Sequence, residues 1–124
     1  MEFIDFGSGE RGGSLGIVFP GWKRGETVAF LSPHDDDAVL GAGYLVRAVE
    51  KNGGKPVVVV FCRGDAGYSE AKGKKAIVGR RRRETRAAYG ALGVPPEDIV
   101  RFDLPDLSLM ARVDRVTPGG RKGA

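Results

Sequence analysis

The stretch Pro56–Phe61, PVVVVF, decides the reading of the fold. Its β-branched and aromatic residues suit a strand, and an apolar character on both faces is that of a parallel strand buried between helix layers. Upstream, Thr27–Leu31 (TVAFL) is a second short run of the same kind, broken by Ser32-Pro33-His34. Between the two, the segment from Asp36 to Lys51 places Val39, Leu40, Tyr44, Leu45, Val46 and Val49 at helical spacing, and Asn52-Gly53-Gly54 stops it. Downstream, residues 62–75 (CRGDAGYSEAKGKK) read as a polar, glycine-containing loop. Ile77–Leu92 reads as a second helix, with apolar Ala87, Ala88, Ala91 and Leu92 and a stop at Gly93. Pro95-Pro96 breaks the chain again, Ile99–Phe102 is a third short strand, and a loop follows from Asp103 to Leu109. Strand, helix, strand, helix, strand predicts an α/β layer fold with a parallel sheet, flanking helices and right-handed crossovers.

The remaining chain and the composition bound what surrounds this unit. The 124 residues amount to one domain, read as spanning 1–124. Residues 1–25 are glycine-rich and read as an irregular arm with a short strand at Ile17–Phe19, and residues 110–124 read as a flexible tail. Twenty basic against sixteen acidic side chains give a net charge of +4, and 41% of the residues are apolar, enough for a core. No apolar run approaches the roughly 20 residues of a membrane helix. The N-terminus MEFIDFGSGERGG lacks the basic start and apolar run of a secretory signal, so with one thiol the expected compartment is the cytoplasm. One cysteine, Cys62, excludes an intramolecular disulfide framework, and one histidine, His34, excludes any site in this chain that needs two imidazoles.

Ligands of such sheets bind beyond the carboxyl ends of the strands. Three polar clusters fall there: Pro33–Asp37, Arg63–Tyr68 and Asp103–Ser108. In the first, His34-Asp35-Asp36-Asp37 follows a strand and opens a helix. A helix start needs one acceptor at its cap, and three adjacent carboxylates exceed that need. Their repulsion is relieved by a cation, and an imidazole with a carboxylate three residues on suits a zinc-like ion. A further carboxylate beside such an ion can accept a proton from water. The same residues also fit a capped helix with solvated acids and a satisfied histidine.

The motif SPHDDDAVLGAG resembles the signature of the LmbE-like (PIG-L) sugar N-deacetylases, His-Pro-Asp-Asp-Glu followed by an apolar residue, Leu-Gly and small residues. The resemblance extends from about residue 27 to 109, taking in VVVVFCRGDAG, RRRRETRAAYGALGV and FDLPDLSL in the family's order. Asp35 stands where the family usually has proline, and the triple-Asp form is most similar to archaeal diacetylchitobiose or N-acetylglucosamine deacetylases. The resemblance implies a Rossmann-like fold, a Zn2+ or other divalent cofactor, and removal of acetyl groups from N-acetylglucosamine-type sugars. By position it implies that His34 and Asp37 are metal ligands, that Asp36 is the general base, and that Arg81 and Asp106 bind the sugar.

The family's third ligand is a downstream histidine, and this chain has no second one. The sequence therefore resembles the N-terminal portion of a deacetylase, an incomplete domain expected to bind metal weakly and to turn over little or no substrate. The alternative is a noncatalytic α/β module that associates with a partner or with itself through surface left uncovered. Arg80-Arg81-Arg82-Arg83, with Arg86 and Lys72, Lys74 and Lys75, could contact phosphates, but no aromatic residues interleave to stack bases, so a solvated helix face is favoured over nucleic acid. Gly64-Asp65-Ala66-Gly67 lacks the lysine and serine spacing of a phosphate loop. Cys62 reads as a small buried apolar residue, Trp22 as a cover on the edge of the core, and Tyr68 as a possible sugar-stacking ring.

Overall fold

In the computed structural model, PVVVVF is the middle of a central strand, Lys55–Cys62. The structure describes residues 1–65 and 71–106. In chain order the elements are β1 (Phe3–Ile4), β2 (Arg11–Gly12), a 3-10 turn (Leu15–Ile17), β3 (Thr27–Ser32), α1 (Asp37–Lys51), β4 (Lys55–Cys62), α2 (Ala71–Ala91), a 3-10 turn (Pro96–Asp98) and β5 (Ile99–Leu104). The main sheet has the order β3-β4-β5, all parallel, with Phe30 opposite Val58 and Val58 opposite Ile99. This is the expected α/β architecture, and the three sheet strands and α1 fall where the apolar periodicity placed them to within a few residues.

Alternation along the strands defines one covered face. Phe30 and Ser32 on β3, and Val58, Val60 and Cys62 on β4, are buried there with Val46, Ala48 and Val49 of α1 and Tyr89 of α2. Each fully buried valine contributes roughly 1.5–3 kcal/mol relative to leaving it exposed. The opposite face departs from the expectation that PVVVVF is buried on both sides. Val57, Val59 and Phe61 are only half-buried, and beside them Leu31 is 64% and Phe102 56% exposed. Among the described residues both helices leave that face open, so the valines there meet no second layer.

The helices also differ in detail from their periodic reading. On α1, Val46 and Val49 are buried, whereas Leu40 and Tyr44 lie on the outer face. The helix begins at Asp37, with Asp36 as its N-cap. On α2 the inward positions are Thr85 and Tyr89, not the alanines, and the helix starts at Ala71, inside the stretch read as loop. Ala71 and the lysines after it have high helix propensity, which outweighs the single Gly73.

The N-terminal arm is more ordered than its glycines suggest. β1 and β2 form a short antiparallel ribbon, and Phe3 and Leu15 enter the core. The strand expected at Ile17–Phe19 is instead the end of the Leu15–Ile17 3-10 turn and the turn that follows. Ser14 Oγ accepts the Gly16 N–H at 3.2 Å and starts that turn, and among the described residues no strand is paired with Ile17–Phe19. Trp22 lies over Gly54 and Val49, sealing the end of the core where α1 turns into β4.

One irregularity positions functional groups. Val60 pairs with Arg101 but Cys62 pairs with Leu104, so β5 carries one extra residue at a bulge. Asp103 takes a left-handed conformation there, φ 52°, which Asp tolerates better than most residues. The chain is thereby re-aimed, so that Asp106 turns back toward the end of β3.

Candidate active site

Because β3, β4 and β5 are parallel, their carboxyl ends lie on one side. The residues just past them meet: His34 after β3, Cys62 at the end of β4, and Asp106 after β5. Cys62 N–H donates to the Pro33 carbonyl at 2.8 Å, and Arg63 N–H donates to the Leu104 carbonyl at 3.0 Å, holding the three ends together. Tyr68, Ser108 and the expected tail 110–124 lie outside the described residues.

Ser32, the last residue of β3, is fully buried and organises the acidic loop. Its Oγ accepts the Ala38 N–H at 2.9 Å, satisfying an orphan donor in the first turn of α1. The same hydroxyl donates to the His34 carbonyl at 2.5 Å. The cap is therefore supplied from the strand, and the Asp36 side chain makes no capping bond. Asp37 Oδ2 accepts the His34 backbone N–H at 2.8 Å and lies 3.4 Å from its Nδ1. On the other side of the ring, Nε2 lies 3.6 Å from Asp106 Oδ1. The half-exposed imidazole thus sits between two carboxylates.

Asp35 has a different environment. Its Oδ1 accepts the Thr85 hydroxyl at 2.7 Å and pairs with the Arg101 guanidinium, and its carbonyl accepts the Tyr89 hydroxyl at 3.1 Å. Its Oδ2 is buried without a hydrogen-bond partner among the described residues. Burial pushes the Tyr89 hydroxyl above its usual range, and the charges of Asp35 and Asp36 add to this.

Asp65 anchors the loop after β4. Its Oδ1 accepts the Asp106 N–H at 3.1 Å and its Oδ2 the Arg63 Nε at 2.6 Å. The Asp106 amide, and after it Arg63, hold this carboxyl below the usual range against the opposing effect of burial. Gly64, at φ +73°, donates its N–H to Asp106 Oδ1 at 3.2 Å. A Cβ on Gly64 would lie 2.9 Å from Arg81 Cδ, so the Arg81 side chain crosses this turn. Burial pushes the Cys62 thiol up, and Asp106 beside it pushes the same way.

The residues expected to form one site fall into two adjoining sets. His34, Asp37 and Asp106 come together around the imidazole. Asp36 and Arg81 instead line a cleft of about 330 Å³ between α1 and α2, with Arg80, Glu84 and Thr85. Reading the sequence missed Cys62 as a donor and missed Thr85, Tyr89 and Arg101 altogether. Cys62 shares its parity on β4 with Val58 and Val60, which signals the covered face. Arg101, a charge flanked by Val100 and Phe102 in the strand, signals a buried partner. The donor set of one imidazole, neighbouring carboxylates and a thiol fits a divalent ion. About 3.3 Å separates ligand atoms in a tetrahedral site with bonds near 2.05 Å, close to the His34–Asp37 separation.

Residues 29–117 match the PIG-L family model, described as GlcNAc-PI de-N-acetylase. No curated protein matches the chain. Among solved structures, it is similar to N,N′-diacetylchitobiose deacetylase from Pyrococcus horikoshii complexed with its inhibitor MPG, with a TM-score of 0.58 and 24% identity. It is similar to the 4-carboxy-2-hydroxymuconate hydratase GalB from Pseudomonas putida KT2440 at the same TM-score and 23% identity. The matches cover 65% and 73% of this chain, and 30% and 40% of those two chains. At such identities the likeness is one of fold.

Proposed function

The chain belongs to the PIG-L family, and from that premise we propose that it carries the metal- and base-bearing segment of a hydrolase that removes the acetyl group from N-acetylglucosamine-type sugars. The observation that carries this reading is the 3.4 Å approach of Asp37 Oδ2 to His34 Nδ1 at the carboxyl end of β3. These two residues would hold a divalent ion, zinc being the family expectation. Such an ion, when bound, supplies Lewis acidity toward the amide carbonyl and favours ionisation of water.

The chain's own groups do the rest. Asp36 is exposed, carries no capping bond and faces the cleft, so its carboxylate is free to take a proton from the attacking water. Arg81, in the same cleft, donates to sugar oxygens. Asp106 meets the imidazole rather than the cleft, so in this reading the sugar contacts fall to Arg81. Calorimetric titration with zinc tests the reading. Asp37→Ala and His34→Ala are expected to bind at least about tenfold more weakly than the parent chain. Asp36→Asn is expected to retain the parent's zinc affinity, as a proton acceptor that is not a ligand, and the 124-residue chain itself is expected to release little or no acetate from N-acetylglucosamine or its dimer. Equal zinc affinity in the parent chain, Asp37→Ala and His34→Ala would remove the metal site.

A second reading, a noncatalytic module that self-associates, is supported by the open sheet face bearing Leu31 and Phe102. Sedimentation velocity separates it from the first. Concentration-dependent association abolished by Phe102→Lys would support it, and a monomer at every concentration would exclude it.

A further inference from the structure

We propose that His34 Nε2, Cys62 Sγ and Asp106 Oδ1 form a second, thiolate-containing site for a borderline or soft divalent ion, on the opposite side of the imidazole from Asp37. The proposal rests on the deacetylase reading only in sharing His34. It draws its other donors from the ends of β4 and β5.

The geometry is specific. One donor atom from each of the three residues lies within 4.8 Å of the other two, and Nε2 is already 3.6 Å from Asp106 Oδ1. Ligand atoms around a tetrahedral zinc with nitrogen, oxygen and sulfur donors are separated by about 3.3–3.6 Å, so side-chain adjustment of an ångström or so closes the set. The three donors also stand on backbone that is held in place. Cys62 N–H is bonded to the Pro33 carbonyl, next to His34. Asp106 is fixed twice, through its N–H to Asp65 and through its Oδ1 from the Gly64 N–H. The β5 bulge delivers Asp106 to this point, a re-aiming that regular pairing of the strand would not produce.

The donor types decide the ion. Imidazole, thiolate and carboxylate select zinc, cobalt or cadmium over magnesium or calcium, which take oxygen donors. Three protein ligands leave a fourth position open. Asp37 Oδ2, 3.4 Å from Nδ1 on the other side of the ring, is not a donor of this set. A chain with a single histidine can then furnish three ligands by itself.

The test is titration of the full 124-residue chain with Co2+ under reducing, oxygen-free conditions, read by near-ultraviolet absorption from thiolate-to-cobalt charge transfer. The expected result is a saturable charge-transfer band that zinc displaces and a hundredfold excess of magnesium does not. Cys62→Ser, close in shape, is expected to lose the band and at least tenfold in zinc affinity while keeping its far-ultraviolet circular dichroism. Asp37→Ala is expected to keep the band. Cobalt binding without a charge-transfer band, sensitive to Asp37→Ala, would overturn this inference and leave the His34–Asp37 reading standing. Absence of any cobalt binding would overturn both.

Discussion

Asp35 and Arg101, 66 residues apart in sequence, form a buried ion pair that ties the acidic loop after β3 to the edge strand β5. Thr85 and Tyr89 add hydrogen bonds from α2 to the same residue. Asp35 lies between His34 and Asp36, so both neighbours inherit their positions from these contacts. The family motif that this loop resembles has proline here, which restricts the backbone covalently. In this chain, side-chain contacts from α2 and β5 constrain the same point.

Removing one partner of that pair leaves a charge in a largely desolvated site. Arg101→Met is expected to destabilise the fold by about 3 kcal/mol. The double variant Asp35→Leu/Arg101→Met is expected to lose clearly less than the sum of the two single variants, because no charge is then stranded. Urea unfolding at pH 7 measures all four proteins, and additive losses would show that the pair is not coupled.

Ser32 serves two hydrogen bonds at once, from the Ala38 N–H and to the His34 carbonyl. Ser32→Ala removes both without adding volume. The expected cost is about 1–2 kcal/mol. Amide hydrogen exchange is expected to quicken at Ala38, at the start of α1, while exchange in β4 changes only with the global stability.

Gly64 takes a positive φ beneath the Arg81 side chain. Gly64→Ala is expected to cost about 1 kcal/mol in backbone strain, since an L side chain disfavours that region. The nearest obstructing atom belongs to a long side chain, so the Arg81 guanidinium is expected to shift rather than the turn to break. Thermal unfolding checks the first effect and a crystal structure of the variant the second.

Asp65 carries the pH prediction. Its carboxyl is held below the ordinary aspartate value of 3.8 by the Asp106 amide and, after it, Arg63. A depressed folded-state value means that its contribution is present above pH 3.8 and is lost as pH falls through the lower folded value. Asp65→Asn is therefore expected to be less stable than the parent at pH 7, with the difference shrinking progressively below pH 3.8. Paired urea midpoints from about pH 7 down to about pH 2.5 measure it. A difference that is flat with pH would contradict the assignment.

Much of the fold was legible from nearby residues. The run Val57–Phe61 could hardly be anything but a strand, and Asn52-Gly53-Gly54 and Gly93 marked helix ends where the structure has them. The opening of α2 was hidden by Gly73 and the surrounding polar residues, since propensity near a helix end is a small energy. In the site, His34 and Asp37 were legible because three residues along one chain segment return to the same place. Cys62 was not, because its apolar look matches the valines before it, and only its neighbours past β3 and β5 give it chemistry.

The parallel α/β order is therefore encoded locally: apolar period, β-branching and glycine punctuation each act over a few residues and need no knowledge of the partner. The covered and open faces of the sheet, the binding of Asp35 by Arg101, and the meeting of His34 with Cys62 and Asp106 were decided by the folded chain alone. They depend on strand order, on register and on the extra residue in β5, which join segments dozens of positions apart. Such contacts form only after the long loops between them have closed, and no short stretch of sequence carries that information.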